Sequence, residues 1–247
     1  RSVIAYRRSR SPEQVQSDIA DGIAECLRFG TTTIGDIASG GASWDLLSRA
    51  KCRAIVYYEL LGLSEERSLQ SWDGAVRWLN EKKPTENCVP GLSPHAPYTV
   101  RKALYGYLKD GRTPIVTHLA ESRDELQLLR YRTGPMVELF EELGVWDDSG
   151  LVHDPLEVMR LMPIATFVHG NFLDPDAKFD SAQSLIVCPR THAAFGHPRH
   201  PVPSFLERGV RVAPGTDSLA TNPDLDILAE ARHLRQHYPE VKPATLL

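Results

Sequence analysis

Paired cysteines are the first thing missing. Cys26, Cys52, Cys88 and Cys188 are scattered along the chain, and no two of them form a C-x-x-C pair. That spacing argues against a disulfide scaffold or a thiolate zinc site and favours a reducing compartment, the cytoplasm. An excess of charge is missing too: 28 Lys+Arg stand against 32 Asp+Glu, a net charge of −4. Binding to nucleic acid or to an anionic membrane surface therefore has no electrostatic basis. The longest apolar runs are strand-sized, far short of the ~20 residues that a membrane helix needs. The opening "RSVIAYRRSRSPE" has neither an apolar core nor a small-residue cleavage site, so no signal peptide is expected. A glycine-rich phosphate-binding loop is absent as well, which counts against an open dinucleotide-binding sheet.

What is present is an ordinary globular composition, 42% hydrophobic and 24% charged over 247 residues. That is enough for a sizeable core. One unit recurs: a short β-rich run, a turn rich in Gly, Pro, Ser or Asp, then a helical pattern. "SPEQVQSDIADGIAECLRFG" reads as a helix, with a capping box from Ser11 to Gln14, Pro12 at the first helical position and Gly30 as the stop. Val15, Ile19, Ile23 and Leu27 recur every four residues on one face. A later helix carries Trp72, Val76 and Leu79 on one face, and Thr99 is placed to cap a helix running to Gly111. The strands are "TTTIGDI", "RAIVYYEL", "CVPGLSP", "PIVTHL", "ATFVHG", "SLIVCP" and "GVRVAPG". They are nearly continuous apolar runs, as parallel strands buried on both faces should be. The fold class is therefore α/β, a (β/α)8 TIM barrel, because the ionisable residues gather at the C-terminal strand ends where barrels build active sites. Those residues are Asp36, Glu59, His95, His118, His169, Arg190 and Asp217. Seven strands leave the barrel one short. Two open edges would then be exposed, which soluble proteins avoid.

Within that rim, His118, His169 and Asp217 each end a strand. Imidazole nitrogens and a carboxylate suit a divalent metal such as zinc, which lowers the pKa of bound water. Glu121 can share their volume only if the strand ends between His118 and Glu121, since residues i and i+3 of a strand face opposite ways. It would then be placed to move a proton. Each residue also has a structural alternative: a hydrogen-bonded histidine at a strand end, a turn aspartate at Asp217, a helix-dipole carboxylate at Glu121. Asp36 and Glu59 lack a companion motif and read as structural. His153, His233 and His237 read as solvated, and so does His200 in the loop "PRTHAAFGHPRHP".

The segments "SPHAPYT", "THLAES", "FVHGNFLD", "CPRTHAAFGH" and "GTDSLATNPDLDILAE", in this order, resemble the amidohydrolase superfamily. The branch is that of the cytosine, guanine, S-adenosylhomocysteine and aminofutalosine deaminases and the chlorohydrolases. The resemblance implies one divalent metal, zinc or alternatively iron, held by His118 and Asp217. His169 would contact the metal-bound water, the substrate or the metal itself, and Glu121 would be the proton shuttle. His95, His192 and His197 would bind substrate, His192 standing where many members have Asn. The family's first barrel strand ends in a His-x-His pair, and no His-x-His occurs here. That accounts for the missing strand, and the family's small β-sandwich is missing with it. "KPATLL" resembles the start of the helix that leads into it. Residues 1–247 are therefore expected to be a single barrel domain, truncated at both ends. The implied function is deamination of an aminated heterocycle, a small-molecule substrate, by a protein that is compatible with a homo-oligomer. The alternatives are a chlorohydrolase-type ring hydrolase and a non-catalytic barrel that has lost its metal site.

Overall fold

The computed structural model describes residues 5–6, 9–108 and 111–242. "KPATLL" lies almost wholly outside them. The helix Pro12–Arg28 starts as expected: the Ser11 hydroxyl accepts from the Gln14 N–H and the Gln14 side chain accepts from the Ser11 N–H. Past its end, Gly30 adopts φ +81°, a conformation that costs glycine little. The Val15 to Leu27 face is only partly covered; no residue of this helix is buried.

Seven strands follow: β1 (Thr33–Ala38), β2 (Arg53–Leu60), β3 (Cys88–Pro94), β4 (Val116–Leu119), β5 (Thr166–His169), β6 (Ser184–Val187) and β7 (Arg211–Pro214). Every pairing is parallel, within β1-β2-β3 and within β4-β5-β6-β7. A Leu92–Ile115 bridge and the His118 N–H bond to the His95 carbonyl, 2.9 Å, join the two sheets into one sequence-ordered run. That run is curled. Flat, β1 and β6 would lie roughly 24 Å apart at ~4.8 Å per strand. Instead, Tyr57, Val116, Val168 and Cys188 form one buried cluster with Ile37, Ile55 and Ile186. Residues of β1, β2, β4 and β5 and of β6 with its adjoining loop thus meet inside, as in a barrel. A larger apolar cluster, including Leu60, Leu104, Leu128, Phe167, Leu185 and Phe205, holds the helices against the outer face. The ends of the run approach each other as well, the Leu225 N–H bonding Glu25 at 3.3 Å. No eighth strand is present among the described residues.

Two helical expectations shift. The Thr99 hydroxyl does not cap a helix. It lies 2.8 Å from His95 Nδ1 and bonds the Ala96 carbonyl, and the helix runs only from Lys102 to Gly106 after an uncapped Arg101. In the helix Glu65–Glu81, Ala75 and Trp78 are buried while Val76 is exposed. Trp78 is drawn in by an edge-on contact with Trp44, ring centres 5.6 Å apart, and by Tyr58 at the same distance. The C-terminal helix, Ile227–His237, begins at Asp226, whose side chain accepts from the Ala229 N–H. Among the described residues no helix is long and apolar enough to cross a membrane.

Candidate active site

At or within three residues of three of the four strand ends in the β4–β7 sheet stands a non-glycine residue at positive φ: Ala120 at +51°, His169 at +73° and Asp217 at +56°. Residues with a Cβ rarely adopt this conformation, and where they do the surrounding structure must hold them there. At Ala120 its effect is to break the strand's alternation just before Glu121. β4 ends at Leu119, so Glu121 is released from the alternation that would have aimed it away from His118.

The brought-together set is compact. The rings of His118 and His169 stack with centres 5.4 Å apart, and those of His95 and His118 lie 5.0 Å apart. Glu121 Oε1 is 3.6 Å from His169 Nε2. His118 Nδ1 donates to the His95 carbonyl at 2.8 Å, since a carbonyl can only accept. Neutral His118 therefore keeps its lone pair on Nε2, the arrangement by which a carbonyl partner orients a ligating imidazole. His169 is almost fully buried, and that burial, with the neighbouring His118, pushes it down to about 3 against the nearby Asp217 charge. It is thus neutral near pH 7, the state a metal ligand requires. On Asp217, Oδ2 accepts from the Thr221 hydroxyl at 2.9 Å. Neutral imidazoles and a carboxylate are donors that fit a zinc-like ion. Among the described residues, however, no three His, Cys, Asp or Glu side chains come close enough together to hold one.

The residues expected at the substrate divide. His95 sits within the His118 cluster, edge-on to Tyr98 with centres 5.8 Å apart. His197 is half-buried against Phe172, His192 and Phe195, and the Glu121 charge acts on it. His192 is buried, with both ring nitrogens on protein oxygens: Nδ1 is 3.0 Å from Asn171 Oδ1 and Nε2 is 2.7 Å from the Pro198 carbonyl. His200 corrects the expectation of a solvated residue. It is buried, its Nε2 donates to the His169 carbonyl at 2.8 Å, and burial lowers it to about 4. Phe205, five residues on, and Tyr238, 38 residues downstream, cover it. Beside it, a cavity of about 230 Å³ is lined by Cys188, His192, His197, His200, Leu234 and Tyr238 and does not reach His118, Glu121 or Asp217.

Sequence reasoning missed the polar groups behind this rim. Glu230, fully buried, accepts from the Arg190 N–H at 2.9 Å, Arg190 Nε at 2.6 Å and Asn222 Nδ2 at 2.8 Å. Asn222 also bonds the carbonyl of Thr216, the residue before Asp217. Arg190 is therefore structural, tied in addition to Asp224 at 2.7 Å. Glu125, fully buried too, accepts the N–H groups of Ala120 and Glu121 at 2.9 and 2.7 Å. Burial raises it to about 7. The available signal was position alone: each is an acidic residue near the start of a helix that follows a strand end carrying a candidate residue.

The amidohydrolase family model matches residues 4–246. Aminodeoxyfutalosine deaminase of Deinococcus radiodurans is 29% identical over 92% of this chain and 59% of its own length. The crystal structure of Helicobacter pylori aminofutalosine deaminase superposes with a TM-score of 0.78 at 24% identity, over 90% of this chain and 59% of that one. An adenosine deaminase from Xanthomonas campestris, solved with bound zinc, gives 0.73 at 22% identity over 94% of this chain and 52% of that one. The chain spans about half to three-fifths of the length of these proteins, and the strands are those of their TIM-barrel fold.

Proposed function

The chain belongs to the amidohydrolase family, and from that premise we propose that the whole protein is a zinc-type hydrolase that deaminates an aminated purine, an adenine nucleoside or a close analogue. One observation carries this reading. A carboxylate, Glu121, stands 3.6 Å from a buried neutral imidazole, His169, whose ring stacks on that of His118, and among the described residues His118 Nε2 has no hydrogen-bond partner. A binding surface alone has no need of a proton carrier beside two such nitrogens.

His118 and Asp217 would hold the metal, with His169 at its water or on the metal itself. The metal, when bound, supplies a water acidified toward neutral pH. Glu121 would accept a proton from the attacking water and hand it to the ring nitrogen beside the carbon that bears the amine. Asp217 assists the second proton transfer, the C–N bond breaks and ammonia leaves, so water is consumed and the amine becomes a carbonyl. His95, beside His118, and His197 would contact the purine. Four free thiols fit a reducing cytoplasm.

The test is ammonia release by the full-length protein on adenosine, 5′-deoxyadenosine and cytosine, before and after chelation. Release from the adenine nucleosides, lost with the metal and restored by zinc, is the expected result. A metal-free protein inert toward the panel would instead identify a binding module.

A further inference from the structure

Glu125 has no step in that reaction, yet it is fully buried and faces the residue that has the central one. Four hydrogen bonds seize the Ala120–Glu121 segment. Glu125 Oε1 accepts the Ala120 N–H at 2.9 Å and Oε2 the Glu121 N–H at 2.7 Å. The Glu121 carbonyl accepts from Asn171 Nδ2 at 2.9 Å, and the Ala120 carbonyl accepts the Phe172 N–H at 3.0 Å. Together they hold Ala120 at φ +51°, which an alanine would not keep unaided. Glu125 is itself placed by Ser122, whose hydroxyl accepts the Glu125 N–H at 3.1 Å.

The chain of contacts continues. With the Asn171 NH2 committed to the Glu121 carbonyl, its oxygen faces His192 Nδ1 at 3.0 Å and accepts from it when that nitrogen carries the ring's proton. His192 Nε2 faces the Pro198 carbonyl at 2.7 Å. Neither ring nitrogen is available to a substrate, contrary to what the family resemblance implies for this position.

We propose that Glu125, Asn171 and His192 form a positioning relay that fixes the backbone of Glu121, and that His192 acts through Asn171 on Glu121 and does not touch substrate. The proposal rests on the reading of Glu121 as the proton carrier. The relay draws on three consecutive strand–helix units: the helix after β4, the end of β5 and the helix after β6. A carboxylate on a bent loop is thereby aimed by a buried acid and by an amide whose own orientation is set by an imidazole. Such preorganisation raises turnover without tightening ground-state binding.

Two measurements on the full-length protein decide it. The first is amide hydrogen exchange, which needs no substrate. Glu125→Gln removes one of the two acceptors, and Asn171→Ala frees the Glu121 carbonyl. Both are expected to accelerate exchange at Ala120 and Glu121 at least tenfold while His118 and Leu185 stay protected. Unchanged exchange at Ala120 and Glu121 would overturn the relay, and loss of protection everywhere would make these residues general supports of the fold and overturn it equally. The second is kinetic. His192→Ala should lower kcat about tenfold with KM within twofold, and His192→Asn, which keeps a donor where Nδ1 was, should recover most of that loss. A raised KM with kcat retained, or no recovery in His192→Asn, would return His192 to the substrate. If the wild type releases no ammonia from any purine, the proposed function fails, and the exchange measurement alone decides the relay.

Discussion

The two sheets of this barrel are built from the same unit and carry different loads. Strands β1 to β3 are six, eight and seven residues long, and no non-glycine residue in or beside them has positive φ. Strands β4 to β7 are four residues each, and three of them are followed or ended within three residues by a residue at positive φ: Ala120, His169 and Asp217. The remaining case, Arg132, ends a helix. Rim groups differ in the same way. In the first sheet Asp36 takes a hydrogen bond from Ser43 at 2.5 Å and is raised by burial, part of a local turn. In the second, two fully buried glutamates lie behind the rim and hold the backbone on which Glu121 and Asp217 stand. Strain is concentrated where the proposed chemistry would take place, and a buried polar layer keeps it there.

That contrast can be broken most forcefully from behind. Glu230→Ala leaves the Arg190 guanidinium and backbone N–H and the Asn222 amide without their shared acceptor, and should cost about 3 kcal/mol in urea unfolding. Beside the first sheet, Asp45→Ala in the helix Trp44–Leu47 removes an exposed pair with Lys82 at 3.3 Å and should cost ~0.5 kcal/mol or less. Equal losses would erase the distinction.

Acidity should sharpen it. His200 and His169 are lowered by burial to about 4 and about 3, so the stability they contribute is complete above pH 6.5 and is lost as pH falls toward those values. Glu125 runs the other way. Raised to about 7 from 4.5, it stabilises when protonated, below about 4.5, and that contribution is lost as pH rises toward 7. Between pH 6.5 and 4.5 it offsets one histidine. Glu125→Gln removes the offset, so its unfolding free energy should fall more steeply on acidification than the wild type's, by up to about 1.4 kcal/mol per pH unit. Parallel curves would contradict the assignment.

The smallest effect is expected at Ala120→Gly. Relief of the strain of positive φ and the added freedom of the unfolded chain nearly cancel, leaving stability within about 1 kcal/mol of wild type by denaturant titration.

Much of this was legible in the residues. The apolar runs that become β2 and β5, the Ser11 capping box and the clustering of ionisable groups at strand ends all follow from local pattern, and local pattern persists in the fold. Glu125 was not legible, because "ESRDE" reads as an ordinary polar helix start and its burial comes from packing against neighbouring units. His200 was missed for the same reason: Tyr238, which covers it, lies 38 residues downstream. His192 shows a subtler limit. Its place at the rim could be read, but which way its two nitrogens point depends on Asn171 and on a loop carbonyl.

The central claim is that one sheet carries the proton chemistry and the other frames it. Ammonia release from adenosine by full-length Glu121→Gln and Asp36→Asn, measured beside wild type, tests it most directly. The account predicts a loss of roughly 10²–10⁴-fold for Glu121→Gln and a change within about twofold for Asp36→Asn. Comparable losses in both variants, or a Glu121→Gln protein that turns over like wild type, would contradict it.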